Sequence, residues 1–192
     1  GPADREVLRE LRTACDALLV GPGTLIAEGY ATVLDPPQRE RRRAAGRPGE
    51  PLVATISRSG DPALADVPLF AEPGLRLQVY TEADPSPEFG RGAQVAVHAL
   101  APGTLTPAAA LAHLHDQLGV RSVLCEGGPA LLRDLVAADL VDDLVLTLAP
   151  LLIAGDGPSI LRGPVLDPPA RFALRTVLRA GDHLFLHYVP AP

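Results

Sequence analysis

Apolar positions recur along this chain in two alternating rhythms. Val7, Leu8, Leu11, Ala14, Cys15 and Leu18 return every three or four residues, the spacing of one helix face. A helix is therefore expected from a cap at Asp4 towards a strand at residues 17–20. Val120, Val123, Leu124 and Cys125 then form a short buried run that stops at Gly127-Gly128-Pro129. Beyond it Leu131, Leu132, Leu135 and Val136 resume the helical spacing, and a strand at residues 144–148 completes a strand-helix-strand unit. The apolar runs at residues 51–56, 75–80 and 94–100 read as further strands, and Thr106-Pro107 opens a helix over residues 108–118. Residues 172–178 and 183–189 read as an antiparallel hairpin. Between these elements, the arginine-rich residues 35–51 are expected as a solvated loop, with attraction of an anionic ligand by Arg41, Arg42, Arg43 and Arg47 as the alternative, 61–73 as irregular chain and 82–92 as a loop. Alternating strands and helices predict an α/β fold.

Two of the strand-to-helix joints are bare. Gly21-Pro22-Gly23-Thr24 and Gly127-Gly128-Pro129 each follow a strand, and glycine lets a ligand reach the main chain. With the unpaired N–H groups of a helix start nearby, such a joint suits a phosphate. Pro129 is tolerated in a first helical turn, and Thr24 can donate a hydroxyl or cap its helix. A third turn, Ser57-Arg58-Ser59-Gly60, lies at the end of another predicted strand, where open parallel sheets bind ligands. The Ser57 hydroxyl and Arg58 suit a 2′-phosphate, which favours NADPH over NADH; an ordinary polar turn is the plainer role. His113 and His115 project from different faces of their helix and read as packing residues, while His183 and His187 share a strand face with no evident partner.

Composition narrows the picture. A chain of 192 residues, 47% hydrophobic, supports one sizeable core, so a single domain over 1–192 is expected. A net charge of −6 argues against nucleic acid or an anionic membrane as a partner, so any anion is held locally. No apolar run approaches the roughly 20 residues of a membrane span, and a cytoplasmic location is expected. Cys15 and Cys125 read as buried free thiols, and no metal-ligand spacing stands out. The Walker loop, the dinucleotide Gly-x-Gly-x-x-Gly, the zinc-deaminase signature and the Gly-x-Ser-x-Gly elbow are all missing.

The strings CEGGPALL (125–132), ADLVDDLVLTLAP (138–150) and AGDGPSIL (154–161), with Arg12 and DALLVGPGTLIAEGY (16–30) upstream, occur in one order. Together they resemble the C-terminal reductase domain of the riboflavin-biosynthesis deaminase/reductase family, and the EGY ending is more similar to its stand-alone pyrimidine reductases. The resemblance implies a dihydrofolate-reductase-like fold: a three-layer α/β/α arrangement with a mixed, mostly parallel central sheet and a C-terminal antiparallel hairpin. It implies NADPH bound by Gly21, Gly23, Thr24, Glu28, Ser57, Arg58, Gly127, Gly128, Pro129, Ala130, Leu131 and Leu132, and substrate met by Arg12 and Glu126. The implied reaction is hydride transfer from NADPH to a ribosylaminopyrimidine phosphate of the 5-amino-6-(5-phosphoribosylamino)uracil type, in a homodimer joined through sheet edges or terminal hairpins. A dihydrofolate-reductase-like enzyme acting on a pterin, and a non-catalytic NADP-binding dimer, are the alternatives. The family's first strand, with its Ser-Leu-Asp-Gly-type motif, is expected to be absent from this numbering, and no residue is singled out as proton donor.

Overall fold

The computed structural model of the chain describes every residue except Arg91, Asp156, Pro158 and Pro192. Arg91 belongs to the expected loop at 82–92, and Asp156 and Pro158 to the glycine-rich string at 154–161, so those parts of the reading lie outside the described residues. Two compact units emerge: residues 6–128, and residues 1–5 with 129–192.

The first unit carries a five-stranded parallel sheet in the order β4-β3-β2-β1-β5, built from β1 (Ala17–Leu19), β2 (Leu52–Ile56), β3 (Arg76–Thr81), β4 (Gln94–Ala99) and β5 (Val123–Cys125). The short apolar runs become strands because they can be covered on both faces, as parallel sheets require. All three residues of β1 are fully buried. Leu18, Val20, Leu25, Val53, Leu64, Leu69, Leu77 and Val79 share one cluster, so the sheet and the segments after β1 and β2 close a common core.

Helix α1 (Pro2–Ala14) starts before the expected cap, and Asp4 lies in its first turn, where a carboxylate complements the helix dipole. The short α2 (Pro22–Glu28) follows β1 directly and stops at Gly29, whose left-handed backbone donates its N–H to the Leu25 carbonyl. Later in the unit, α4 (Pro107–Leu118) is capped as expected: the Thr106 side chain accepts the Ala109 N–H.

Residues 35–51 correct the sequence reading. Pro36–Ala44 form α3, entered through Asp35, whose N–H donates to Gln38 Oε1 at 3.0 Å. Arg42 is 2% exposed, so it attracts no ligand. Its guanidinium donates to the carbonyls of Thr13 (2.8 Å), Cys15 (2.6 Å) and Pro48 (2.9 Å), and Arg47 donates to Ala14 O at 2.7 Å. The last carbonyls of a helix have no partner inside it, and these two arginines supply one. Arg41 and Arg43 pair with Glu10 and Glu40. The stretch at 61–73 is likewise more regular than expected, forming 3₁₀ turns at Pro62–Asp66 and Pro68–Ala71.

The second unit contains α5 (Pro129–Ala137) and a three-stranded antiparallel sheet in the order β6-β8-β7, from β6 (Leu144–Leu148), β7 (Phe172–Ala180) and β8 (His183–Pro190). The predicted hairpin is β7-β8, with a register shift at Leu174/Thr176. His187 has a partner after all, Asp143 Oδ1 at 2.6 Å from Nε2. An apolar cavity of about 290 Å³ is lined by Leu132, Val136, Leu144, Leu161, Leu166 and Phe172, among others. No helix among the described residues is long and apolar enough to cross a membrane.

Candidate active site

The two bare turns meet. β1 and β5 are neighbours, with Leu19 opposite Cys125, and the pairing runs on past both strand ends. Glu126 N donates to Leu19 O at 3.1 Å and Gly21 N to Gly127 O at 2.7 Å. A β-carbon on Gly21 would sit 2.8 Å from the Gly128 nitrogen, so only glycine allows this approach. One on Gly128 would meet Thr24 Oγ1 at 3.0 Å. On Gly23 or Gly127 it would meet nothing within 4 Å among the described residues. Gly127 also has φ +91, a backbone conformation that side chains disfavour. Two glycines thus let the turns touch, and two leave bare main chain facing open space.

The third turn lies on the adjacent strand. β2 is the other neighbour of β1, and Ser57 follows its end. Ser57 is buried; its Oγ accepts the Asp61 N–H at 3.1 Å and its N–H donates to Tyr80 O at 2.9 Å, closing the loop. Arg58 and Ser59 are the residues of this turn that reach solvent, and Arg58 is the charged one. Turns after β2, β1 and β5 therefore stand side by side at the carboxyl ends of three successive parallel strands, spanning about 10 Å at ordinary strand spacing. Glu28 ends α2 on the surface. Pro129, Ala130, Leu131 and Leu132 form the first turn of α5 in the second unit, where Pro129 O accepts the Arg162 N–H at 3.1 Å.

Arg12 and Glu126, each expected to meet substrate, are bonded to one another. Arg12 Nε donates to Glu126 Oε1 at 2.6 Å and Nη2 to Oε2 at 2.5 Å, a fork-on-carboxylate geometry, with side chains only 16% and 6% exposed. Tyr30 joins them: its hydroxyl donates to Glu126 Oε2 at 2.8 Å, and the guanidinium lies 5.4 Å from the centre of its ring. Burial works against the Arg12 charge, but the Glu126 contacts outweigh it and its pKa ends raised. Burial first, then Glu126, holds the Tyr30 phenol well above its usual range. The sequence reading gave Tyr30 no role beyond the EGY motif, and nothing local marks it, because its partner lies 96 residues on.

A second polar group went unread. Tyr80 on β3 stacks on His98 directly opposite on β4, and His113 on α4 meets Tyr80 edge-on, with Tyr80 Oη 2.9 Å from His113 Nδ1 and His98 Nε2 2.6 Å from Gln78 Oε1. Burial, then the neighbouring His113, lowers the His98 pKa. His113 packs as expected.

Bare turns side by side at the carboxyl edge of a parallel sheet have the arrangement at which open α/β folds bind their ligands. The chain belongs to the RibD C-terminal domain family, whose model matches residues 1–185. It is 29% identical over 163 residues to the 2,5-diamino-6-ribosylamino-4(3H)-pyrimidinone 5′-phosphate reductase of Archaeoglobus fulgidus, spanning 83% of this chain and 74% of that one. The enzyme of that name from Methanothermobacter thermautotrophicus is 27% identical over 199 residues, spanning 98% and 86%. A pyrimidine reductase-like protein from Corynebacterium diphtheriae shares the fold, with a TM-score of 0.73 at 22% identity, covering all of this chain and 82% of its own. The family, the oxidoreductase class and the riboflavin-pathway reading expected from the sequence agree with these findings.

Proposed function

We propose that this protein is an NADPH-dependent reductase acting on a ribosylaminopyrimidine 5′-phosphate. The observation that carries the reading is the contact of the two bare turns, Gly21 N to Gly127 O at 2.7 Å, with Gly23 and Gly127 open to space beside it. That surface fits a pyrophosphate, which needs close approach to main chain and tolerates no β-carbon. Gly21, Gly23, Thr24, Gly127 and Gly128 would hold the diphosphate, and Arg58 would meet the adenosine end; once bound, the nucleotide supplies the hydride. Arg12, Glu126 and Tyr30 act as one polar surface for the substrate. The Tyr30 hydroxyl keeps its proton and donates to Glu126 Oε2, and the carboxylate with the Val33 carbonyl fixes the guanidinium plane, so the one Arg12 Nη1–H left over presents a set direction. The names of the relatives favour the 2,5-diaminopyrimidinone form of the substrate over the uracil form.

The test is the loss of nicotinamide absorbance when purified protein and NADPH are mixed with either pyrimidine phosphate or with dihydrofolate. Oxidation with a pyrimidine phosphate is expected. Oxidation with dihydrofolate alone makes the protein a pterin reductase, and nucleotide binding without oxidation makes it a non-catalytic dimer.

We also propose a homodimer. Unit 129–192 leaves Leu151, Leu152, Ile153 and Val165 between 70% and 105% exposed, with Leu174 and Leu178 on edge strand β7, far more apolar surface than isolated exposed residues explain. Sedimentation should give twice the chain mass, and Leu152→Asp should return it to the monomer.

A further inference from the structure

Arg58 is exposed, but it is not alone. Its turn is stitched to the end of β3: Ser57 N donates to Tyr80 O at 2.9 Å and Glu82 N to Arg58 O at 3.1 Å. A β-carbon on Gly60 would sit 2.7 Å from Ala83 Cβ, so the two loops are in close contact. Across that seam Arg58 Nη1 lies 3.1 Å from both carboxylate oxygens of Glu82. The partners differ in freedom. Arg58 is 57% exposed and can swing, whereas Glu82 is 10% exposed and its Oε1 also accepts the Leu105 N–H at 2.8 Å. The carboxylate is therefore a fixed charge beside a movable cation.

A 2′-phosphate that reaches Arg58 comes close to that fixed charge, and the repulsion offsets part of the arginine's attraction. A ribose 2′-hydroxyl in the same place can donate to a carboxylate, the way acidic residues select NAD in dinucleotide-binding folds. We propose that Glu82 is a coenzyme-selectivity residue that narrows the preference for NADPH over NADH set by Arg58. The proposal rests on the cofactor assignment above, with Arg58 at the adenosine end.

Glu82→Gln keeps an oxygen for the Leu105 N–H and removes the charge. Calorimetric dissociation constants for NADPH and NADH should show NADPH about fivefold tighter, the scale of one solvent-exposed charge contact, with NADH unchanged or weaker. Arg58→Gln leaves Glu82 anchored and serves as the second variant. It should invert the preference, because the carboxylate then acts unopposed, and adding Glu82→Gln to it should restore parity. An unchanged ratio in Glu82→Gln, or equal shifts for both nucleotides there, overturns the role of Glu82 while leaving the cofactor assignment standing; an unchanged ratio in Arg58→Gln overturns Arg58 at the adenosine end and the proposal with it. Failure of wild type to bind either nucleotide overturns both.

Discussion

Arg12 and Glu126 lie 114 residues apart in sequence and were each expected to serve a ligand, yet the structure makes them one unit. Replacing Arg12 by methionine keeps the aliphatic stem but strands the Glu126 carboxylate, 6% exposed, with the Tyr30 hydroxyl as its remaining side-chain donor. Breaking a buried pair from one side costs about 3 kcal/mol or more, because a charge is left without compensation. For a chain of 192 residues that corresponds to a fall of about 6–12 °C in Tm. Glu126→Gln strands the less buried partner and should cost somewhat less. The double variant leaves neither charge stranded, so its loss should fall short of the sum of the singles by about 2 kcal/mol. Thermal unfolding of the four proteins, followed by circular dichroism, measures that coupling. A coupling below about 0.5 kcal/mol would refute the reasoning, since independent sites add within that margin. Arg12 would then be free to act alone on a phosphate.

Other expected outcomes follow from the same geometry. Gly21→Ala places a carbon 2.8 Å from the Gly128 nitrogen and must force the two turns apart; NADPH affinity should fall at least about tenfold by calorimetry, and unchanged affinity would remove the pyrophosphate assignment. Arg42→Leu leaves the carbonyls of Thr13, Cys15 and Pro48 without their donor and should cost about 3 kcal/mol in urea unfolding, with little effect on nucleotide binding. Burial raises the Asp16 pKa, but the N–H groups of Arg121 and Ser122 and the Arg47 guanidinium outweigh it, and the net shift is downward. A depressed carboxylate stabilises the fold above its unfolded pKa and loses that contribution as pH falls through its folded one. Asp16→Asn should therefore lower Tm at pH 7, and the gap to wild type should close in strong acid; a constant gap would contradict the linkage.

The strands were legible wherever a short apolar run was bounded by glycine or proline, because burial on both faces of a parallel sheet needs little beyond that run. The bare turns were legible for the same reason: Gly21 and Gly127 each follow such a run, and their meeting requires only that β1 and β5 be neighbours. Residues 35–51 misled because an arginine run looks solvated when read locally. The Asp35-to-Gln38 spacing that starts α3 was visible, but the carbonyls of Thr13 and Cys15 that bury Arg42 are 27 and more residues away. Distance in sequence hides Glu82 in the same way, since Arg58 reads as a phosphate ligand until the end of β3 is laid beside it.

A common rule emerges from these arginines. Arg12 is bonded to Glu126, Arg58 to Glu82, Arg41 to Glu10 and Arg47 to Asp16, while Arg42 is spent on carbonyls. In this chain of net charge −6, these four cations thus stand where anions of its own already compensate them. Under the proposed cofactor assignment, what remains to meet a diphosphate at the edge of the sheet is chiefly main chain, whose dipoles are fixed in direction by the β1-β5 pairing and would need no reorganisation when a ligand arrives. Binding by fixed dipoles depends on how closely the ligand can approach, which is why the contact between Gly21 and Gly128 matters more here than the sum of nearby charge. Under the proposed assignment Arg12 and Arg58 then contribute direction and selectivity, because each is held by a carboxylate that a wrong ligand must also face.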